Sequence, residues 1–457
     1  MASTYISRAA TGSVTSSTTF TFSFWIKRGN LSSTQYFFIH ENASSHNQKL
    51  ELLFQTDNTI RMGWYDGSSE YNYDTEMLFR DTSAWYNFVF RYDTTQSTDS
   101  NRVRMYVNGE QISYLNANGS SPTYMTQNKA INLGQKIMAH GRYQSSSPGS
   151  YLTGSLSHIH YCDGQSYAPT EFGETDSTTG EWKIKTSPSV SYGNNGYFIL
   201  KDGNSVTNQA GNSSGNFSVS GGTLTNTKDC PSNVFATFNP LDNYYPAMTL
   251  SYGNTRALTI GGKYTYTPTT LGMTSGKHYA EIKCTAQSGS QNEFLIGITS
   301  TSSGATTHEL GHFANDYGYN GVAGNYRTNN GNTSYGASFT TGDIIGIAVD
   351  LDNNKLYFSK NGTFQNSGNP ASGSTGTGAI SITDPTLTSR GAYFFAVGYY
   401  SSSIIGTFDA NFGNGYFGTT AITTNSGNGY AGAEGASKFN YQPPSGYSAL
   451  STKGLNQ

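Results

Sequence analysis

The pentapeptide His308-Glu309-Leu310-Gly311-His312 carries the HExxH spacing. On a helix that spacing sets two imidazoles on one face, where both reach a zinc ion while the glutamate polarises the attacking water of a metalloprotease. The chemistry depends on the helix, and this stretch lies between Gly304 and Gly318 in a chain that alternates as strand on both sides. The extended motif would require glycine at 315 and histidine at 318, whereas the residues are Asn315 and Gly318. His308, Glu309 and His312 therefore read as a chance match, and no metal is assigned to them.

Glycoside hydrolysis would need two carboxylates on one face, about 5 Å apart in retaining enzymes, and hence acidic residues alternating along a strand. Glu281 stands alone in its stretch, and Asp350 with Asp352 brackets a tight turn, where aspartates bond nearby backbone amides. The many glycine pairs open no helix, so they form no phosphate cradle. Calcium could assist a binding loop through carboxylate and carbonyl oxygens, but no aspartate-rich loop calls for it. No catalytic residue and no cofactor are expected, and the chain is not read as an enzyme.

Binding chemistry has more support. The stretch Arg61 to Asp74 interleaves Trp64, Tyr65, Tyr71 and Tyr73 with Asp66 and other short polar residues. An aromatic ring can stack on the apolar face of a pyranose while Asp and Asn bond its hydroxyls. The alternative is a hairpin whose rings pack on the sandwich or on a neighbouring subunit. Similar groupings occur at Tyr317, Tyr319, Tyr326 and Arg327, and at Tyr399 with Tyr400.

Composition narrows the partners. Only 12% of the 457 residues are charged, against the usual quarter, and the net charge is −3. That leaves no basic excess for nucleic acid. Three scattered cysteines make neither a disulfide framework nor a CxxC metal site. No run of some 18 apolar residues exists, and the first residues resemble no secretory leader. Yet 53 glycines and 14% aromatics, with abundant Ser, Thr and Asn, suit an external recognition surface. A protein made in a cytoplasm but dressed for the outside needs another exit, and cell lysis with a virus particle is one.

The elements that must position these residues are strands. Phe20, Phe22, Phe24 and Ile26 alternate with hydroxyl-bearing residues, as do Phe88, Phe90 and Tyr92, and Val103, Met105 and Val107 lead into Asn108-Gly109. Asn-Gly between alternating runs marks a hairpin, because both residues tolerate positive φ. Further runs occupy 277–284, 294–298, 343–350, 355–358 and 393–397, with a second Asn-Gly at 361–362. The fold class is all-β, with two antiparallel jelly-roll sandwiches. Residues 1–175 form the first, 176–245 an irregular Gly/Asn/Ser-rich connector, 246–414 the second and 415–457 a glycine-rich tail. Whether 203–233 is ordered by itself stays open.

The order Phe22-Ser-Phe24-Trp-Ile-Lys27, Trp85 to Asp93, Met105-Tyr-Val-Asn-Gly109 and Gly154 to Ile159 resembles laminin-G-like, concanavalin A-like lectin domains. That resemblance implies a jelly roll whose loops bind sugars or proteins. Gly276-Lys-His-Tyr279, Gly342-Asp343 through Asp350 and Leu356 to Gly362 resemble a SPRY domain, which implies a protein-interaction sandwich without chemistry. Together with Asn233 to Asp242 and Pro443-Pro-Ser-Gly446, the pairing resembles marine bacteriophage structural proteins, especially those of cyanophages. The resemblance implies a virion-surface fibre or tail appendage, homo-oligomeric, binding other virion proteins and a host glycan or protein without membrane insertion. A capsid decoration protein is the alternative, and a metalloprotease or glycanase a remote one. Head or tail location, ligand, oligomeric number and docking domain are not legible.

Overall fold

A computed structural model describes residues 3–9, 11–41, 48–116, 119–131, 133, 137–143, 148–243, 247–260, 264–288, 294–302, 308–399, 405–423 and 429–456. The chain forms two compact units, Met1–Asn226 and Thr227–Gln457. The expected all-β class holds: among the described residues, helix is confined to short 3-10 segments such as Pro370–Thr375. No helix among them is long and apolar enough to cross a membrane.

In the first unit the long strand Thr19–Arg28 pairs with Trp85–Asp93 on one side and Gly154–Asp163 on the other. They anchor a six-stranded sheet, which faces an eight-stranded one ordered Tyr114–Leu115, Glu70–Thr75, Ile60–Tyr65, Lys49–Phe54, Gln35–Glu41, Ile137–His140, Tyr5–Arg8, Ser218–Ser220. The predicted alternation lines the space between them: Phe20, Phe22, Phe24 and Ile26 meet Phe38, Leu50, Leu52 and Met62. Each such side chain, fully buried, contributes about 1.5–3 kcal/mol. The Asn108-Gly109 hairpin forms with φ of 48° and 87°, and Val107 pairs with Glu110 across it.

The second unit stacks a six-stranded sheet centred on Phe294–Thr299 and Phe394–Tyr399 against a nine-stranded one centred on Lys277–Gln287 and Ile344–Asp350. Ile282, Ile296, Ile298, Ile345, Ile347, Phe358 and Phe408 fill the core. Asn361-Gly362 makes the second tight turn, with Lys360 paired to Thr363.

Two of the expected boundaries move. The stretch 176–226 belongs to the first unit and is no mere connector: Tyr197–Ile199 pairs with Gly154–Asp163, and Ser218–Ser220 with Tyr5–Arg8. Segment 164–192 covers the outer side of the six-stranded sheet, where Val89, Tyr106, Cys162 and Phe172 make a small second core. Nor is 415–457 a loose tail. Phe439, Tyr447 and Ala449 pack with Phe235, Tyr279, Ala348 and Tyr357 on the outer side of the nine-stranded sheet, and Ser448–Ala449 adds a parallel strand to Lys277–Gln287.

Candidate functional site

Strand alternation settles most of the candidate residues. In Ile60–Tyr65 and Glu70–Thr75 the inward positions are taken by Trp64, Tyr71 and Tyr73, which are buried in the first core. Tyr317, Tyr319 and Tyr399 are core residues of the second unit, and Tyr326 packs against that core beside Tyr335. These rings stand between sheets rather than on loops, so they offer no stacking platform to a ligand. Tyr400 lies outside the described residues.

The two charged candidates are tied down as well. Asp66 shapes its turn by accepting the backbone N–H groups of Ser68 and Ser69 at 2.9 and 2.7 Å, and it pairs with Lys129. The Lys129 hydrogen bond, with those amides, holds the Asp66 carboxyl well below the usual range. The Arg327 guanidinium is buried and bonds Glu309 Oε1 at 2.5 Å.

Tyr65 stands apart, half-buried on the side of the eight-stranded sheet that faces away from the core. Register places a row of six residues across that side: Ser7, Ala139, Ile39, Glu51, Gly63 and Asn72. The flanking rows hold Lys49, Tyr65 and Glu70, and Leu53, Arg61 and Asp74. Gly63 is the floor. A Cβ there would sit 3.0 Å from Glu51 Cγ and 3.1 Å from both Glu51 Oε1 and Asn72 Oδ1. Those two polar groups thus lean over the gap left by the missing side chain, and Asn72 Oδ1 is buried without a hydrogen-bond partner among the described residues. Such an acceptor is costly unless something donates to it.

Tyr36 and Tyr143 wall one end, with ring centroids 4.6 Å apart and Lys49 Nζ 5.6 Å from the Tyr143 ring. Burial first, and then the adjacent Glu51 carboxylate, pushes the Tyr36 phenol well above its ordinary range. Every well-buried carboxylate on this face is held by a cation. Lys49 Nζ lies 2.8 Å from Glu51, Arg61 grips Asp74 through two bonds of 2.7 Å, and buried Arg142 meets Glu41 at 3.3 Å. This is an array of hydroxyl-binding groups with aromatic edges. A carboxyl and a free base poised for acid–base transfer are not evident in it.

The sequence signal for this face was the alternation Arg61, Gly63, Tyr65, out of phase with Met62 and Trp64. Composition drew attention to the larger rings, which alternation sends to the core.

The pentapeptide His308 to His312 is a turn rather than a helix, closed by His312 N–H donating to the Glu309 carbonyl at 3.2 Å. The geometry on which protease chemistry depends is absent. Asp350 and Asp352 serve their turn as expected, accepting the N–H groups of Asn353 at 3.1 Å and Gly276 at 2.9 Å.

Comparison with known proteins agrees with the two units. Residues 2–163 match the model of the concanavalin A-like lectin/glucanases superfamily, and residues 277–377 match that of the SPRY domain. Ran-binding protein 9 of Danio rerio is 35% identical over 89 residues, which is 19% of this chain and 14% of that protein, so the chain spans a small part of its curated relative. Among solved structures, the SPRY domain of human HERC1 covers 38% of this chain and 96% of its own at 18% identity and a TM-score of 0.31. A pentraxin from Limulus polyphemus covers 36% of this chain and 71% of its own at 15% identity and a TM-score of 0.27. On the two family matches alone, the chain carries an N-terminal concanavalin A-like domain and a C-terminal SPRY domain.

Proposed function

We propose that this chain is a non-catalytic recognition protein whose first unit binds a glycan on the outer side of its eight-stranded sheet. The observation that carries the reading is the Gly63 floor, flanked by Glu51 and the unpartnered Asn72 oxygen. A sugar hydroxyl donating to Asn72 Oδ1 would satisfy it beside Glu51, which Lys49 already holds, and the Tyr65 and Tyr143 rings supply apolar edges for the pyranose. The SPRY unit supplies a protein contact, in keeping with the interaction role of such domains.

The setting in this proposal is the surface of a bacteriophage particle, as a fibre or tail appendage that meets the host. It rests on the low charge of the chain, its Gly/Tyr-rich composition and the pairing of the two domains. A homo-oligomer held on the virion by one unit, leaving the other to the host surface, fits that setting.

The test is binding of the full chain to a glycan array and to host cells, beside Arg61→Ala and Tyr65→Ala. Specific glycan binding lost in both variants supports the reading. If the chain binds no glycan but attaches to capsids lacking it, a decoration role replaces the receptor role.

A further inference from the structure

The turn at His308 to His312 does something other than what its spacing would do on a helix. It gathers the imidazoles of His308 and His312 and the carboxylate of Glu309 so that one ligand atom from each lies within 4.8 Å of the others. The two rings are stacked face to face, with centroids 3.6 Å apart and planes 5° from parallel.

Neighbouring residues hold this arrangement. Leu310 is fully buried with Tyr266, Leu295 and Ala396, which pins the centre of the turn. Gly311 adopts φ of 90° against the Asn325–Thr328 strand, where a Cβ would come within 2.6 Å of the Arg327 carbonyl oxygen. Its own carbonyl accepts the Asn330 N–H at 3.2 Å. Arg327 bonds Glu309 Oε1 at 2.5 Å, the oxygen that also lies 4.0 Å from His312 Nδ1, while His308 and His312 remain partly exposed.

We infer that His308, Glu309 and His312 bind a borderline divalent ion of the zinc type, as three protein ligands that the ion would hold together. Two imidazoles and a carboxylate suit Zn²⁺, Co²⁺ or Ni²⁺, and a fourth position stays open to water. Bonds of about 2.0–2.2 Å set neighbouring donors of a tetrahedral ion roughly 3.4 Å apart, so modest side-chain rotation closes the set. That rotation must unstack the rings, since an ion lies near the plane of each imidazole it binds. Arg327 plays the part of the outer partner that orients a ligating carboxylate. Its positive charge also weakens the site.

The experiment uses the full chain without a polyhistidine tag, stripped with chelator and titrated with Co²⁺ and Zn²⁺. Expected are one ion per chain, visible Co²⁺ absorption of a tetrahedral site displaced by Zn²⁺, and a raised unfolding temperature. The pair His308→Gln and His312→Gln should weaken binding by about 100-fold or more, at or beyond the upper end of what loss of a mere outer partner costs. Uptake unaltered in the double glutamine variant, or no stoichiometric ion at tens of micromolar Co²⁺, overturns the assignment. Should the double variant fold poorly, His312→Gln alone gives the same decision through the cobalt spectrum.

Discussion

The carboxylate of Glu281, in the central strand of the nine-stranded sheet, accepts the backbone N–H of Tyr441 at 2.7 Å. It also takes the N–H of Asn440 at 2.8 Å and the Asn411 side-chain amide at 3.0 Å. One acid thus ties the C-terminal segment across the outer side of that sheet, beside the Phe439 and Tyr447 packing. Glu281→Ala strips an acceptor from two backbone amides, each worth about 1–3 kcal/mol if left buried and unpaired. The expected result is a loss of roughly 2–5 kcal/mol and faster hydrogen exchange at residues 439–441. Exchange there equal to that of the parent chain would remove the clamp from the account.

The same residue gives the second unit a pH dependence. Burial pushes Glu281 up from 4.5 to about 7, and its hydrogen bonds only partly offset that rise. Between those values the folded chain keeps a proton that the unfolded chain releases. The contribution is therefore full below about 4.5 and is lost as pH rises through about 7. Asp316, raised by burial to about 6, acts in the same direction. The stability of the parent chain relative to Glu281→Gln, measured by urea unfolding, should fall as pH goes from 5 to 8. A difference that is flat across this range would contradict the assignment.

The first unit carries the opposite dependence. His140 is buried, with Nδ1 donating to the Phe37 carbonyl at 3.0 Å and Nε2 accepting from the Tyr197 hydroxyl at 2.8 Å. A carbonyl can only accept, so Nδ1 carries a proton, and burial keeps the ring neutral. Burial lowers its pKa to about 3, and His158 moves likewise to about 4. Here the unfolded chain binds protons first, so stability present above pH 6.5 is lost as pH falls toward those values. All four tryptophans, Trp25, Trp64, Trp85 and Trp182, lie in this unit. Tryptophan fluorescence therefore reports its unfolding separately, and its urea midpoint should drop from pH 7 to pH 5.

The glycine floor can be tested without touching a charged group. Gly63→Val would push branches into Glu51 and Asn72, already at 3.0–3.1 Å from the first carbon of any side chain. Because those groups lie on the outer side of the sheet, the expected outcome is lost glycan binding with a stability change within about 1–2 kcal/mol. Retained binding would move the ligand site elsewhere.

Period-two alternation made the strands legible, because a half-buried strand must send alternate residues to the core, as Phe20, Phe22 and Phe24 do. The Asn-Gly turns were legible for a similarly local reason, since both residues take up positive φ. What escaped was long-range. Ser218–Ser220 carries no apolar pattern and belongs to the first unit through backbone pairing with Tyr5–Arg8. The glycine-rich C-terminus is ordered by Glu281, about 160 residues earlier. The HExxH motif was legible as spacing, but only the tertiary setting of Leu310 and Gly311 decides whether its donors meet.

Trp64 and Tyr65 put the contrast between core and surface aromatic residues into two adjacent positions. Both belonged to one aromatic cluster by composition, yet the strand turns Trp64 into the core and Tyr65 to the opposite side. Trp64→Ala leaves a cavity among packed rings, and large aromatic truncations of this kind cost about 3–5 kcal/mol. Tyr65→Ala removes a half-buried ring whose hydroxyl bonds the neighbouring Gly67 carbonyl at 3.1 Å, so it should cost at most about 1 kcal/mol. Glycan affinity should respond in the reverse order, falling in Tyr65→Ala and holding in whatever fraction of Trp64→Ala stays folded. Urea unfolding followed by tryptophan fluorescence, together with glycan titration of the folded protein, separates the two effects. Were Trp64→Ala to lose affinity at unchanged stability, the inward ring would be reaching the ligand and the outer face would not be the site.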